Sequence, residues 1–137
     1  MAVATTPFDE ESVRFSPDGQ AISFHSNVSG RYEVYVAPFP PTGQQSRVST
    51  DGGVNARWSR DGRELFYLGG DGRLMAAPFR GGSSVTPAAP LALFATTPRW
   101  SDFDVDSTGR FVAIVTERRS ALQPLTVVLN WTAALDR

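Results

Sequence analysis

Cysteine is absent from the 137 residues, so neither a disulfide framework nor a thiolate zinc site can form, and thiol usage says nothing about the redox compartment. Histidine is nearly absent too, with His25 alone. Zinc needs three or four converging nitrogen, sulfur or carboxylate ligands, and one imidazole with no thiolate does not supply that set. No charge of one sign dominates: 13 basic against 14 acidic side chains give a formal net charge of -1. A global field that would draw nucleic acid or an anionic membrane is therefore lacking. No apolar run approaches the roughly 20 residues that span a bilayer, and the opening MAVATTPFDEES has no basic leader followed by an apolar segment. Nucleic acid and membrane are not expected partners, and no cofactor is expected. Apolar residues spaced at i, i+3, i+4 and i+7 are missing as well, which argues against helical repeats.

What the chain does contain is a repeat. RFSPDG ends at Gly19, RWSRDG at Gly62 and the weaker DVDSTG at Gly109, so the copies lie 43 and 47 residues apart. After each comes an apolar run (AISFHS, ELFYLG, FVAIVT) and then a second (YEVYVAPFP, RLMAAPFR, LTVVLNW). A period in the low to mid forties, filled with four short strands rich in β-branched and aromatic residues, is that of a propeller blade. The chain reads as all-β, a β-propeller fragment of three four-stranded antiparallel blades in a single unit, 1–137. Blade one covers about 9–50, blade two about 51–97 and blade three about 98–137.

The repeated phrase has a physical explanation. Ser16, Ser59 and Asp106 carry short oxygen acceptors suited to the first position of a type I turn, and Pro17 has its φ preset for the second. Asp18, Asp61 and Thr108 then precede Gly19, Gly62 and Gly109, where glycine accepts the left-handed conformation that closes a hairpin. These residues are structural turns between the two inner strands of each blade. GGDG at Gly69 to Gly72 reads as another hairpin turn, since no helix follows it to cradle phosphate.

Chemistry is sparse. No G-x-S-x-G elbow supports a hydrolase triad on His25, and no enzymatic activity is expected. Asp51, Asp71, Asp102, Asp104 and Asp106 could offer oxygen to calcium, but their spacing matches no calcium loop, and the alternating run at 102–106 reads as a polar channel lining. No metal site is assigned. The sequons at Asn27 and Asn130 are formal only. Inner strands line the axis of a propeller and their entering loops frame one face, where ligands dock. Glu11, Asn55, Arg57, Arg99 and Trp100 are the rim or channel candidates, Arg and Trp being favoured in binding hot spots. The plainer alternative is that Arg57 and Arg14 pair with Asp102 or Asp104 of a neighbouring blade.

VRFSPDGQAISFHSN…GRYEVYVAPF and ARWSRDGRELFYLGGDGRLMAAPF resemble the repeats of TolB-type, WD-repeat-like β-propellers. More narrowly, PFDEESVRFSPDG, SGRYEVYVAPFP and VVLNWTAALDR resemble the final blades of propellers attached to bacterial eukaryotic-like serine/threonine kinases. The resemblance implies a ligand- or protein-sensing portion of such a kinase, with the parent propeller outside the cytoplasm.

Propellers typically have four to eight blades, so three do not close. Both end blades look apolar, with Phe15, Ile22, Phe24, Val34 and Val36 at one flank and Phe111, Val112, Ile114, Val127 and Leu129 at the other. Leaving several hundred Å² wet on each flank forfeits on the order of 10 kcal/mol at about 25 cal/mol per Å². The expected partner is the chain itself. In a six-bladed homodimer, residues 2–7 of one copy would supply the missing outer strand of the other's blade three; a nine-bladed trimer is the runner-up.

Overall fold

The fold, seen in a computed structural model, is described at residues 8–79, 86–97 and 99–115 and in the backbone of a strand at 125–130. Three antiparallel sheets follow one another along the chain. The first holds β1 (Glu10–Phe15), β2 (Ala21–Ser26), β3 (Glu33–Pro38) and β4 (Ser46–Arg47). The second holds β5 (Gly53–Trp58), β6 (Glu64–Gly69), β7 (Arg73–Pro78) and β8 (Leu91–Ala95), and the third β9 (Trp100–Val105), β10 (Arg110–Val115) and β11 (Leu125–Asn130). Each strand pairs with its neighbour in sequence, as expected of blades built outward by hairpins. The outer strand proposed for residues 2–7 lies outside the described residues, as does Trp131.

The middle blade shows why its two central strands, β6 and β7, are apolar after their first residues. Successive side chains of a strand point to opposite faces, and blade two is covered on both. Leu65 and Tyr67 join Ala77 and Phe79 against Val34, Val36 and Val48 of blade one. Phe66 and Leu68, with Leu74 and Ala76, meet Trp100, Phe103, Phe111, Ala113 and Val115 of blade three. Two-sided burial erases the usual alternation.

The turns form as the sequence chemistry requires. The amides of Gly19, Gly62 and Gly109 donate to the carbonyls of Ser16, Ser59 and Asp106 at 2.9, 3.0 and 3.1 Å, with φ of 72°, 72° and 85° at the glycines. Within the turns, the Ser16 and Ser59 hydroxyls donate to Asp18 and Asp61 at 2.7 and 2.8 Å. Those carboxylates also accept the amides of Gln20 and Arg63, both at 3.0 Å. These bonds hold the carboxyls of Asp18 and Asp61 below their ordinary range. Asp106 does both jobs at once, accepting from Thr108 Oγ1 at 2.6 Å and from Arg110 Nε at 2.7 Å. GGDG is the β6–β7 turn, where the Gly72 amide bonds the Gly69 carbonyl at 3.0 Å.

The two flanks differ, which corrects the expectation that both are open. On blade one, Ile22 and Phe24 are buried in a cluster with Tyr35, Ala37 and Phe39, and Phe24 stacks on Tyr35 with ring centroids 5.8 Å apart. Val34 and Val36 belong to the inter-blade core instead. Phe15 alone of that set is open, 58% exposed. On blade three β10 alternates: Phe111, Ala113 and Val115 turn into the core, whereas Val112 and Ile114 are 38% and 45% exposed. The side chains of Val127 and Leu129 lie outside the described residues.

Candidate functional site

The inner strands β1 and β5 each carry a bulge at the same place in the repeat. Pairing with the next strand shifts between Glu11 and Arg14 and again between Val54 and Arg57. Ser12 and Asn55 sit there with φ of 60° and 56°, a left-handed conformation uncommon outside glycine. Bulges re-aim the side chains around them. Arg14 and Arg57 follow, opposite Ser23 and Phe66. With Trp58, Asp102, Phe103 and Asp104 they line a cavity of about 590 Å³ on the axial side of the sheets, within the usual size for a ligand site.

Arg57 is the fixed cation of this cavity. Only 8% exposed, it donates through Nη1 to Ser12 Oγ of blade one at 3.2 Å and to the Ala56 carbonyl at 2.9 Å. Nη2 donates to Asp102 Oδ1 of blade three at 3.1 Å, and the guanidinium lies 5.9 Å from the Phe103 ring centroid, a cation–π distance. Burial lowers its proton affinity, and the charge of Arg14 lowers it further, against the pull of Asp102 and Asp104. The pairing of Arg57 with Asp102 is the plainer alternative drawn from the sequence; Arg14 makes no such pair among the described residues.

Outside the cavity's lining a polar relay joins the three blades. The Asn55 amide donates to His25 Nδ1 at 3.2 Å, and the Asn55 side-chain amide donates to the Ser101 carbonyl at 3.0 Å. His25 is buried and meets Tyr32 edge-on at 5.2 Å, with Glu11 Oε2 3.6 Å from Nε2. Because Nδ1 accepts, the proton of the neutral ring resides on Nε2, facing Glu11. Burial pushes the imidazole below its ordinary value near 6.5, more than Glu11 raises it, with Arg57 also lowering and Asp102 raising it. Neutral His25 therefore stabilises the fold fully above about pH 6.5. That contribution is lost as pH falls below 6.5, where the unfolded chain takes up the proton first. Wild type should lose more stability between pH 7 and pH 5 than His25→Gln, read as the shift in urea midpoint; equal losses would place the titration elsewhere.

The remaining candidates scatter. Glu11 is exposed, its Oε1 3.5 Å from the Tyr32 hydroxyl, and Arg99 is exposed. Trp100, expected at the rim, is buried in the core, with Phe94 edge-on at 5.6 Å. It is the first residue of β9, opposite Val115, so it faces blade two and is unavailable as a surface hot spot. Asp102 and Asp104 do line the cavity, while Asp106 serves the turn. Among the described residues no cluster of three or more His, Asp or Glu is arranged to hold a metal ion. The sequence reading passed over Ser12 as a ligand of Arg57; the signal available was its 43-residue offset from Asn55.

No family model matches the sequence, and no curated protein matches it. Solved structures do. The β-propeller domain of Cps50 (Swd1) from Myceliophteria thermophila superposes with a TM-score of 0.57 at 13% identity, over 90% of this chain and 40% of that one. The fold is a β-propeller arc. TolB from Acinetobacter baumannii gives a TM-score of 0.64 at 18% identity, over 92% of this chain and 30% of that one. An oligogalacturonate lyase from Vibrio parahaemolyticus gives 0.62 at 16% identity, over 86% and 34%. The propeller arc thus spans well under half the length of each of these proteins. The lyase also corrects one expectation. It is an enzyme by name on the same architecture, so the fold gives no ground for excluding catalysis here. The missing elbow and thiolates dispose of two particular chemistries only.

Proposed function

We propose that the chain is a propeller binding or scaffold module that closes its ring with a second copy of itself, the axial cavity serving as the binding site. One observation carries this reading. Val112 and Ile114 occupy on blade three the forward-facing positions that Phe66 and Leu68 occupy on blade two. There the pair is buried beneath the next blade, whereas on blade three it is open. The exposed Phe15 of blade one supplies a matching apolar contact, and residues 2–7 would complete blade three across the subunit boundary. A six-bladed dimer satisfies both, and a nine-bladed trimer is the alternative. Light scattering at micromolar concentration should give the mass of two chains, and Ile114→Lys should reduce it to one without loss of β-sheet circular dichroism. A single-chain mass for the wild type would end the ring proposal.

A second reading rests on the motifs VRFSPDG and RYEVYVAPF: a ligand- or protein-sensing portion of a bacterial receptor-type serine/threonine kinase. It requires a protein or peptide that binds at Glu11, Arg57 or Arg99, and substitution of Arg99 should then abolish binding without altering assembly.

A further inference from the structure

We infer that the axial cavity is a carboxylate site, built to take an organic anion with an aromatic or apolar body. The inference rests on the binding-module reading above and names its ligand class. Three arginines line the cavity, Arg14, Arg57 and Arg60, against two aspartates, Asp102 and Asp104.

Neither aspartate answers Arg14. Asp102 Oδ1 is taken by Arg57 Nη2 at 3.1 Å and by the Phe103 amide at 2.8 Å. Asp104 Oδ1 accepts its neighbour's amide, from Val105, at 2.8 Å. Arg14, exposed at the cavity wall, donates through Nη1 to the carbonyl of its own neighbour Val13 at 2.9 Å and pairs with no carboxylate among the described residues. Its charge nonetheless bears on Arg57, whose proton affinity it lowers.

Two guanidiniums are thus held within each other's field on the cavity wall, and the carboxylate in ion-pair contact there, Asp102, serves Arg57. Repulsion of that kind is relieved by an anion, and a guanidinium presents its donors in a fork that matches a carboxylate. Arg57 is locked by Ser12, Ala56 and Asp102, so it is the fixed charge. Arg14 is the open arm that closes on the ligand. The walls decide the rest of the ligand: Trp58 and Phe103 offer aromatic surface, and the Ser59 hydroxyl is engaged in its own turn, which disfavours a bare inorganic ion.

The test is titration of the full ¹⁵N-labelled chain with benzoate and, separately, with its neutral isostere benzamide. Benzoate should shift the Arg57 Nε–H and Trp58 indole resonances saturably, and Arg14→Gln should raise the Kd about tenfold or more. Arg14 is exposed, so that variant keeps the fold, which circular dichroism checks. Equal binding of benzamide, or a Kd unmoved by Arg14→Gln, would overturn the carboxylate assignment. Benzylamine distinguishes that failure from failure of the wider reading. If benzylamine or benzamide saturates the cavity and benzoate does not, the assignment alone falls; if none of the three binds, both fall.

Discussion

Replacing Glu33 by alanine should cost about 2–5 kcal/mol, enough to unfold a marginal domain. Glu33 opens β3 and is 1% exposed, an unusual place for a carboxylate. Its Oε1 accepts the Ser49 hydroxyl at 2.6 Å and the Gly52 amide at 2.7 Å, both buried. Its Oε2 takes Arg31 Nε at 3.3 Å and lies 3.8 Å from Arg47 Nη1. The two arginines are half exposed and would return to water when the carboxylate is removed. The Ser49 hydroxyl and Gly52 amide would not, and each unsatisfied buried donor costs about 1–3 kcal/mol. Glu33→Gln keeps one carbonyl acceptor and should recover part of the loss. Urea denaturation followed by circular dichroism at pH 7 would order the three proteins as wild type, Gln, Ala; an alanine variant as stable as wild type would show that the 49–52 segment does not depend on this anchor.

Phe111→Ala should be comparably severe, about 3–5 kcal/mol, the usual cost of deleting a fully buried aromatic ring. Its side chain is wholly buried, with Phe66 edge-on at 5.1 Å, Phe103 at 6.2 Å, Phe94 at 6.3 Å and Trp100 at 6.5 Å between ring centroids. The ring joins blades two and three, so its loss opens a cavity across the junction rather than within one sheet. Leu91→Ala, on the outer strand of blade two, provides the control. That side chain is 49% exposed, so its truncation should move the urea midpoint far less. A small effect at Phe111 would mean that the third blade contributes little to the cooperative unit.

The architecture was readable in the sequence because it is encoded locally and more than once. Turn residues such as Ser59, Asp61 and Gly62 act within six residues of one another, and each repeat of the phrase is independent testimony. Strand starts were less clear where a bulge interrupts the pattern. In β5, which begins at Gly53, left-handed Asn55 breaks the alternation two residues in. Arg57 was legible as a rim or channel candidate from its place beside the loop entering an inner strand, and Asp102 or Asp104 as its partner from the acidic alternation. Trp100 was misplaced because its loop neighbours are polar, while its orientation follows from pairing with Val115. Glu33 and His25 were not legible in these roles. The partners that define those roles, Ser49, Gly52 and Asn55, lie 16 to 30 residues away, in loops and bulges whose approach only the folded sheets define.

Arg57 reaches a hydroxyl on the first blade and a carboxylate on the third from its place on the second. One planar group therefore ties all three blades together at the hub, inboard of the apolar cores that fill the two junctions. Losing it would loosen the inner edge of the arc while leaving both junctions packed.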